Sequence, residues 1–230
     1  MLYNTKGIAL NYLRYRETSI IVRIYTEEFG LQSYIVNGVR SAKSKTNKIA
    51  FFQPLTLLDL VVYHKPNRDL HRLSETRISV PLQSLPFEVT KSSIALFMTE
   101  MLTKTLKEES GNPALFRFLV ESVLLLEDAP AGYENFHLVF LFKLSHFFGF
   151  GPEDAREFEA QLRERSYPFL PDITTETALN VLLTQPYGTP VMLTRTARNE
   201  IADALVAYYR IHIDSLGDVK SLAVLREVLG

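Results

Sequence analysis

The segment "SIIVRIYTEEFGLQSYIVNGV" (residues 19–39) contains two apolar runs separated by a short turn that ends in glycine. In the first run Ile20, Val22 and Ile24 fall on alternate positions, which is the period-2 spacing of a β-strand with one apolar face. A glycine at the end of "EEFG" is typical of a connection between two strands. The segment therefore predicts two consecutive strands, at residues 19–26 and 31–39.

The same spacing extends through the first 80 residues. It predicts further strands at residues 7–15 and 54–63, and a weaker fifth strand at residues 69–79. Five short strands in such a short segment, with no helical pattern among them, are typical of a small closed barrel. A five-stranded Greek-key barrel of the OB type is the most common example, and an SH3-like barrel is the alternative.

The pattern changes to a period of 3.6 residues after the two prolines of "VPLQSLPFEVT" (residues 80–90). Helices are predicted at residues 92–109, 111–128, 134–148, 151–166, 174–184, 194–213 and 218–229. The predicted fold class is α+β. An OB-fold domain at residues 1–80 is followed by an α-helical domain at residues 81–230.

The composition is that of a globular protein. The chain has 230 residues, of which 47% are hydrophobic and 22% charged, and it has no cysteine. Disulfides, thiolate zinc sites and thiol nucleophiles are therefore excluded. The first residues lack a secretory pattern, and the apolar stretch at residues 136–150 is too short to span a membrane. We expect a soluble, cytoplasmic protein.

The charge is distributed unevenly along the chain, although the net charge is only −1. Residues 1–77 contain twelve Lys and Arg residues against six Asp and Glu residues, whereas residues 78–230 contain thirteen against twenty. This asymmetry predicts a basic binding surface on the first domain.

The centre of the basic half is the segment "GVRSAKSKTNK" (residues 38–48), called the basic loop below. A solvated turn is its simplest interpretation, but further cations lie elsewhere in the same half, and OB-type barrels bind oligonucleotides with their loops and one face. The predicted DNA-binding residues are Arg14, Arg16, Arg40, Lys43, Lys45, Lys48, Arg68 and Arg72. The aromatic residues available for base stacking are Tyr12, Tyr15, Tyr34 and Phe52.

No catalytic motif is present. The sequence has no phosphate-binding GxxxxGK[ST] loop, GxSxG elbow or HExxH pair, and its five histidines lack metal-ligand spacing. Glu153 and Glu157 would share a helix face, but solvated pairs of this kind are common. We predict no catalytic residue, no metal and no cofactor.

The segment "YRETSIIVRIYTEEFGLQSYIVNGVRSAKSK" (residues 15–45), followed by "FQPLTLLDLVVY" (residues 52–63), resembles the N-terminal domain of the RecO family of bacterial DNA repair proteins. The ending "YYRIHIDSLGDVKSL" (residues 208–222) is similar to the end of that family. Within the basic loop, Arg40 and Lys43 match the family pattern, whereas the other predicted DNA contacts depend on charge alone.

The resemblance implies a mediator of DNA repair and homologous recombination. Such a protein binds single- and double-stranded DNA, anneals complementary strands and, with RecR, helps to load the RecA-type recombinase. The family also binds the acidic C-terminal tail of single-strand-DNA-binding protein, for which Lys104, Lys107 and Arg117 are candidate contacts. The implied location is the bacterial cytoplasm, with association to the nucleoid during repair.

Three departures from the family are visible in the sequence. Arg16 replaces the usual glycine and Ser19 the usual acid. The four-cysteine zinc site that many members carry is absent, and a segment without cysteine at residues 149–172 takes its place.

Two other functional classes remain open from the residues alone. The barrel of a non-catalytic adaptor would bind acidic protein tails instead of DNA. A nuclease would need a metal-binding cluster of acids in the basic domain, whose six acids are dispersed along the sequence.

Overall fold

The computed structural model describes residues 1–39, 48–65, 68–106 and 111–229. In these residues five strands come first: β1 (Leu2–Tyr15), β2 (Ser19–Thr26), β3 (Gly30–Val36), β4 (Leu57–Tyr63) and β5 (His71–Val80). A short 3-10 helix (Lys48–Phe52) lies between β3 and β4. The predicted strands are therefore confirmed, although β1 begins earlier and β3 ends sooner than the apolar pattern indicated.

The strands form a closed barrel in the order β1-β2-β3-β5-β4. All neighbouring pairs are antiparallel except β3 and β5, which are parallel and complete the closure. Strand β1 pairs with two neighbours: its first half pairs with β4 and its second half pairs with β2. This arrangement confirms the predicted OB-type barrel.

Gly7 lies where β1 passes from one partner to the other, opposite both Thr26 and Leu58. A Cβ atom at this position would lie 2.6 Å from the side chain of Ile24 and 2.7 Å from that of Leu60. Only glycine allows the strand to pass this close to the barrel interior.

The barrel core consists of the apolar residues that alternate along each strand. Ile20, Val22 and Ile24 of β2 are fully buried, as the spacing in residues 19–26 predicted. Tyr34 of β3 and Phe52 of the 3-10 helix belong to the same core cluster. The residues between these positions therefore lie on the outer surface of the barrel.

Seven α-helices follow in the part of the chain that the structure describes: α1 (Val89–Thr105), α2 (Pro113–Asp128), α3 (Phe136–Phe147), α4 (Ala155–Glu164), α5 (Ile173–Thr184), α6 (Arg195–His212) and α7 (Ser221–Leu229). They correspond to the seven predicted helices. Helix α3 is buried over most of its length, as expected for a segment that is apolar on nearly all sides. No helix in the described residues is both long and apolar enough to cross a membrane.

Two compact units can be distinguished. The first comprises residues 1–88 and 99–127, which contain the barrel, the second half of α1 and most of α2. The second comprises residues 89–98 and 128–230, where the hydroxyl group of Tyr209 in α6 donates a 2.7 Å hydrogen bond to the backbone oxygen of Leu141 in α3. The domain boundary at residue 80 stays a prediction, because compactness alone does not define the segment that binds DNA.

Candidate nucleic-acid interface

Five residues lie side by side across five strands on the outside of the barrel. The strand register places them opposite one another in the order Leu13, Ile21, Ile35, Arg72 and Tyr63, called the outer row below. Each alternates with residues of the barrel core, so its side chain points outward. Leu13 is 70% exposed and Tyr63 is 41% exposed.

The outer row has a defined extent. Because neighbouring strands are about 4.8 Å apart, the four steps from Leu13 to Tyr63 cover about 19 Å along the barrel surface. On one side Asn11 donates a 3.4 Å hydrogen bond to the hydroxyl group of Thr103 in α1. On the other side the row adjoins the β1–β2 turn.

Two of the predicted DNA-binding residues lie next to each other here: Arg14 near the end of β1 and Arg16 in the β1–β2 turn, and both are exposed. The guanidinium carbon of Arg16 lies 5.1 Å from the ring centre of Tyr15. Arg16 has a φ angle of 51°, a left-handed conformation that favours glycine. Glycine, which the family resemblance implies at this position, would adopt this conformation without strain, and this chain has a cation there instead.

The other end of the outer row is also cationic. The guanidinium carbon of Arg72 lies 6.0 Å from the ring centre of Tyr63, its cross-strand neighbour. Arg68, in the connection between β4 and β5, is exposed. In OB folds the β2–β3 face and the β1–β2 and β4–β5 loops bind oligonucleotides, and these are the places where the cations lie.

Five arginines surround or belong to the outer row: Arg14, Arg16, Arg23, Arg68 and Arg72. None of them has a carboxylate of a described residue within salt-bridge distance. The nearest acids in sequence, Glu17 and Asp69, are exposed. Arg77 also lacks a salt bridge to a described carboxylate, but the strand register places it directly opposite Asp59 in the β4–β5 ladder.

The basic loop lies mostly outside the described residues. Arg40, Lys43 and Lys45 are not among them, and nothing is described of the Lys48 side chain. The start of the loop is fixed: the hydroxyl group of Ser19 donates a 2.9 Å hydrogen bond to the amide oxygen of Asn37, and Val39 is buried in the barrel core. The loop therefore leaves the barrel next to the β1–β2 turn.

The structure corrects two of the predicted stacking residues. Tyr34 and Phe52 are fully buried in the barrel core, so neither can stack on a base. Tyr12 packs partly buried against the same core, and Tyr15 lies beneath the Arg16 guanidinium. Tyr63 was missed, although its position one residue after Val62 at the end of the predicted fourth strand indicated an outward side chain.

Two of the predicted partner contacts, Lys104 and Arg117, lie on helices α1 and α2. Lys104 forms a 3.8 Å salt bridge with Glu100 on α1. Arg117 on α2 lines a cavity of about 440 Å³, together with Lys6, Glu27 and Glu121. Lys107 is outside the described residues.

The segment at residues 149–172 contains helix α4. Asp154 caps this helix by accepting a 2.8 Å hydrogen bond from the backbone N–H of Glu157. Phe158 is fully buried and contacts Phe142 and Tyr208. Within the part of the chain that the structure describes, no cluster of three or more His, Asp or Glu side chains is arranged to hold a metal ion.

Comparison with known proteins gives consistent matches over the whole chain. Residues 1–81 match the family described as "Recombination protein O N terminal", and residues 86–172 match "Recombination protein O C terminal". A "DNA repair protein RecO" from Phocaeicola vulgatus is 37% identical over 242 residues, which cover 99% of each chain. Proteins of the same name from Azobacteroides pseudotrichonymphae and Bacteroides fragilis are 34% and 35% identical, again with 99% of each chain covered.

Proposed function

The chain belongs to the RecO family of DNA repair proteins, and we propose that it acts in repair by binding single- and double-stranded DNA and annealing complementary strands. The names of the matching families and relatives describe DNA repair and recombination and mention no catalytic activity. In our proposal the protein works without covalent chemistry, as a mediator of homologous recombination.

The observation that supports DNA binding is the group of unpaired arginines around the outer row. A chain with a net charge of −1 leaves five guanidinium groups on the strands and loops of the barrel without a salt bridge to any described residue. Cations of this kind attract a polyanion because each phosphate contact releases a condensed counterion. The basic loop, which starts next to the β1–β2 turn, would add up to four more cations.

Annealing follows from the same electrostatics. Two complementary strands repel each other through their phosphates, and cations bound to the backbone reduce that repulsion. Bases that the protein does not contact remain free to pair. The protein therefore needs only a basic surface and no reactive group.

The proposed partners follow from the family. With a RecR-type protein, the chain would help to load the RecA-type recombinase onto single strands in the cytoplasm, at the nucleoid. Lys104, Lys107 and Arg117 are the candidate contacts for the acidic C-terminal tail of single-strand-DNA-binding protein. Arg117 lines a cavity whose walls also contain apolar residues, one further cation, Lys6, and two carboxylates, Glu27 and Glu121.

The test is a salt series of DNA affinities for the wild-type protein and charge-reversal variants. If about five phosphates are neutralised, the logarithm of affinity should fall with the logarithm of salt concentration with a slope near −3.5 on single strands. We expect Arg40→Glu combined with Lys43→Glu, and separately Arg14→Glu combined with Arg72→Glu, to reduce both affinity and slope. Arg77→Glu is the matched control on the same barrel.

Two results would contradict the proposal. Unchanged affinity in both folded double variants would exclude the basic loop and the outer row as the binding site. If the wild-type protein bound acidic peptides but no oligonucleotide at physiological salt, the barrel would be an adaptor for protein tails.

A further inference from the structure

We infer that Asn37 is a site of spontaneous covalent modification, at which water converts the side-chain amide to a carboxylate through a cyclic imide. The site is the dipeptide Asn37–Gly38, which directly follows β3 and leads into the basic loop. The modification itself is independent of the proposed function, whereas its effect on DNA binding rests on that function.

The sequence distinguishes Asn37 from the other asparagines. Of the nine asparagines in the chain, it is the only one that is followed by glycine. In this reaction the backbone nitrogen of the next residue attacks the carbonyl carbon of the asparagine side chain, and a side chain on that next residue obstructs the approach. Glycine has no Cβ atom and the widest choice of backbone angles. Asn37 therefore meets a steric requirement that the other asparagines do not.

The attacking group, the backbone nitrogen of Gly38, is accessible. The β2–β3 ladder ends at Val36, and the Gly38 N–H has no hydrogen-bond acceptor among the described residues. An N–H bound in a ladder would first have to give up that bond. Gly38 has a φ angle of 71°, and no atom of the described residues lies within 4 Å of the position that a Cβ atom would occupy. The turn therefore has room to bring this nitrogen to the side chain of Asn37.

The group that is attacked, the side-chain amide of Asn37, is already polarised. The hydroxyl group of Ser19 donates a hydrogen bond of 2.9 Å to the amide oxygen. Negative charge develops on this oxygen when the nitrogen adds to the carbonyl carbon, and a donor that is fixed in advance stabilises that charge. Ser19 is 6% exposed, so the barrel holds the donor in place, whereas Asn37 is exposed to the water that the reaction consumes.

The reaction proceeds in two steps that balance. The Gly38 nitrogen forms a bond with the side-chain carbonyl carbon of Asn37, the C–N bond of the side-chain amide breaks, and ammonia leaves with the proton of the Gly38 N–H. Water then opens the resulting succinimide ring. Opening at the side-chain carbon gives aspartate, and opening at the main-chain carbon gives isoaspartate, in which the main chain continues through the side chain.

Both products place a carboxylate directly before the basic loop, where it offsets one of the loop's four cations. Isoaspartate also adds one carbon atom to the main chain between Val36, the last residue of β3, and Val39, which is buried in the barrel core. The modification therefore weakens the attraction of this end of the barrel for a polyanion, although no cation is removed.

The first experiment measures the modification itself. The full-length protein and a synthetic peptide of residues 34–40 are incubated under the same mildly basic conditions. Peptide mass spectrometry then detects the exchange of NH2 for OH, and an isoaspartyl methyltransferase with a labelled methyl donor measures isoaspartate. We expect conversion at Asn37 to be faster than at every other asparagine, and as fast in the folded protein as in the peptide. Asn37→Gln, which keeps an amide but closes a ring much more slowly, should remain unlabelled.

The second experiment measures the effect on DNA binding. Asn37→Asp supplies the charge of the product directly, and we expect weaker binding to a single-stranded oligonucleotide with a salt slope that is less steep by about 0.7, the contribution of one phosphate. Asn4→Asp, which adds the same charge at the opposite end of β1, is the matched control and should bind as the wild-type protein does. Both positions are exposed, and circular dichroism can verify that both variants are folded.

The outcomes separate this inference from the proposed function. Conversion in the peptide but not in the folded protein would overturn the inference, because the fold would then protect Asn37. Identical DNA affinity and salt slope for Asn37→Asp and the wild-type protein would overturn the effect assigned to the modification. Absence of DNA binding by the unmodified protein would refute the proposed function, while conversion at Asn37 would still be measured.

Discussion

The hydroxyl group of Ser19 donates a hydrogen bond of 2.9 Å to the amide oxygen of Asn37. Ser19 is the first residue of β2 and Asn37 directly follows β3, so this bond joins the β1–β2 turn to the start of the basic loop. The β1–β2 turn and the residue that precedes the basic loop are thereby held together at the same end of the barrel.

Ser19→Ala tests this connection. The substitution should lower the free energy of unfolding by about 1 kcal/mol, because Ser19 is 6% exposed and the amide oxygen of Asn37 loses its donor. It should also raise the Kd for single-stranded DNA by about threefold, since a less restricted loop loses more conformational entropy on binding. Fluorescence anisotropy measures the Kd, and Ser79→Ala, at an exposed position of β5, is the control. An unchanged Kd would mean that the loop does not depend on this anchor.

Arg16→Gly separates the charge of Arg16 from its backbone strain. With a φ angle of 51°, a residue other than glycine costs about 1–2 kcal/mol, and glycine removes this cost. We expect Arg16→Gly to be about 1 kcal/mol more stable than Arg16→Ala in urea unfolding, after allowing for the greater freedom of unfolded glycine. Both variants should bind DNA less tightly than the wild-type protein, and by the same factor, because both lack the cation. Unequal DNA affinities in the two variants would show that the backbone conformation, and not the charge, determines binding.

Glu127→Gln tests a carboxylate that holds the segment after the barrel. Glu127 accepts backbone hydrogen bonds from Gln83, Ser84 and Leu85 at 2.5, 2.8 and 2.7 Å. Partial burial alone would raise the pKa of Glu127, but these three N–H groups together lower it below the ordinary value of 4.5.

Because the pKa is lowered in the folded state, this stabilisation is complete above the ordinary pKa and is lost as the pH falls through the lowered value. We expect Glu127→Gln to cost about 1 kcal/mol at pH 7, a modest value since the side chain is partly solvated. Thermal unfolding at pH 7 and pH 3 measures the difference, which should shrink at the lower pH. Glu121→Gln on the same helix is the control, and an equal loss of stability at both pH values would contradict the assigned role.

His137→Gln tests a buried histidine of α3. Burial, with a smaller contribution from the charge of Arg198, lowers the pKa of His137 from 6.5 to about 3. The unfolded chain therefore binds a proton at a pH where the folded chain does not, and stability falls as the pH decreases from about 6.5 toward 3. The contribution is about 1.4 kcal/mol for each pH unit.

Glutamine does not titrate, so the variant should lose stability less steeply than the wild-type protein over this range. Thermal denaturation at several pH values measures both slopes, with His146→Gln, at an exposed position of the same helix, as the control. Parallel slopes for wild-type and His137→Gln would show that His137 is not the responsible group.

The fold could be predicted almost completely from local patterns. Alternation of apolar residues identified all five strands, and the change to a period of 3.6 located all seven helices. Boundaries were less accurate: β1 begins at Leu2 in a stretch without regular apolar alternation, since pairing with β4 continues the strand there. The excess of cations in the first third of the chain could also be predicted, because it is counted directly from the sequence.

The sequence by itself determined which segments are strands, which are helices, and that the first third of the chain is basic, because these properties depend on neighbouring residues. Only the tertiary structure decided that Ile35 and Arg72 are neighbours, because the parallel pairing of β3 and β5 joins segments that no local pattern relates. It also decided that Tyr34 is buried whereas Tyr63 faces outward. The reason is physical: side-chain alternation gives two faces, but the closure of the barrel determines which face is enclosed and which residues meet on the other.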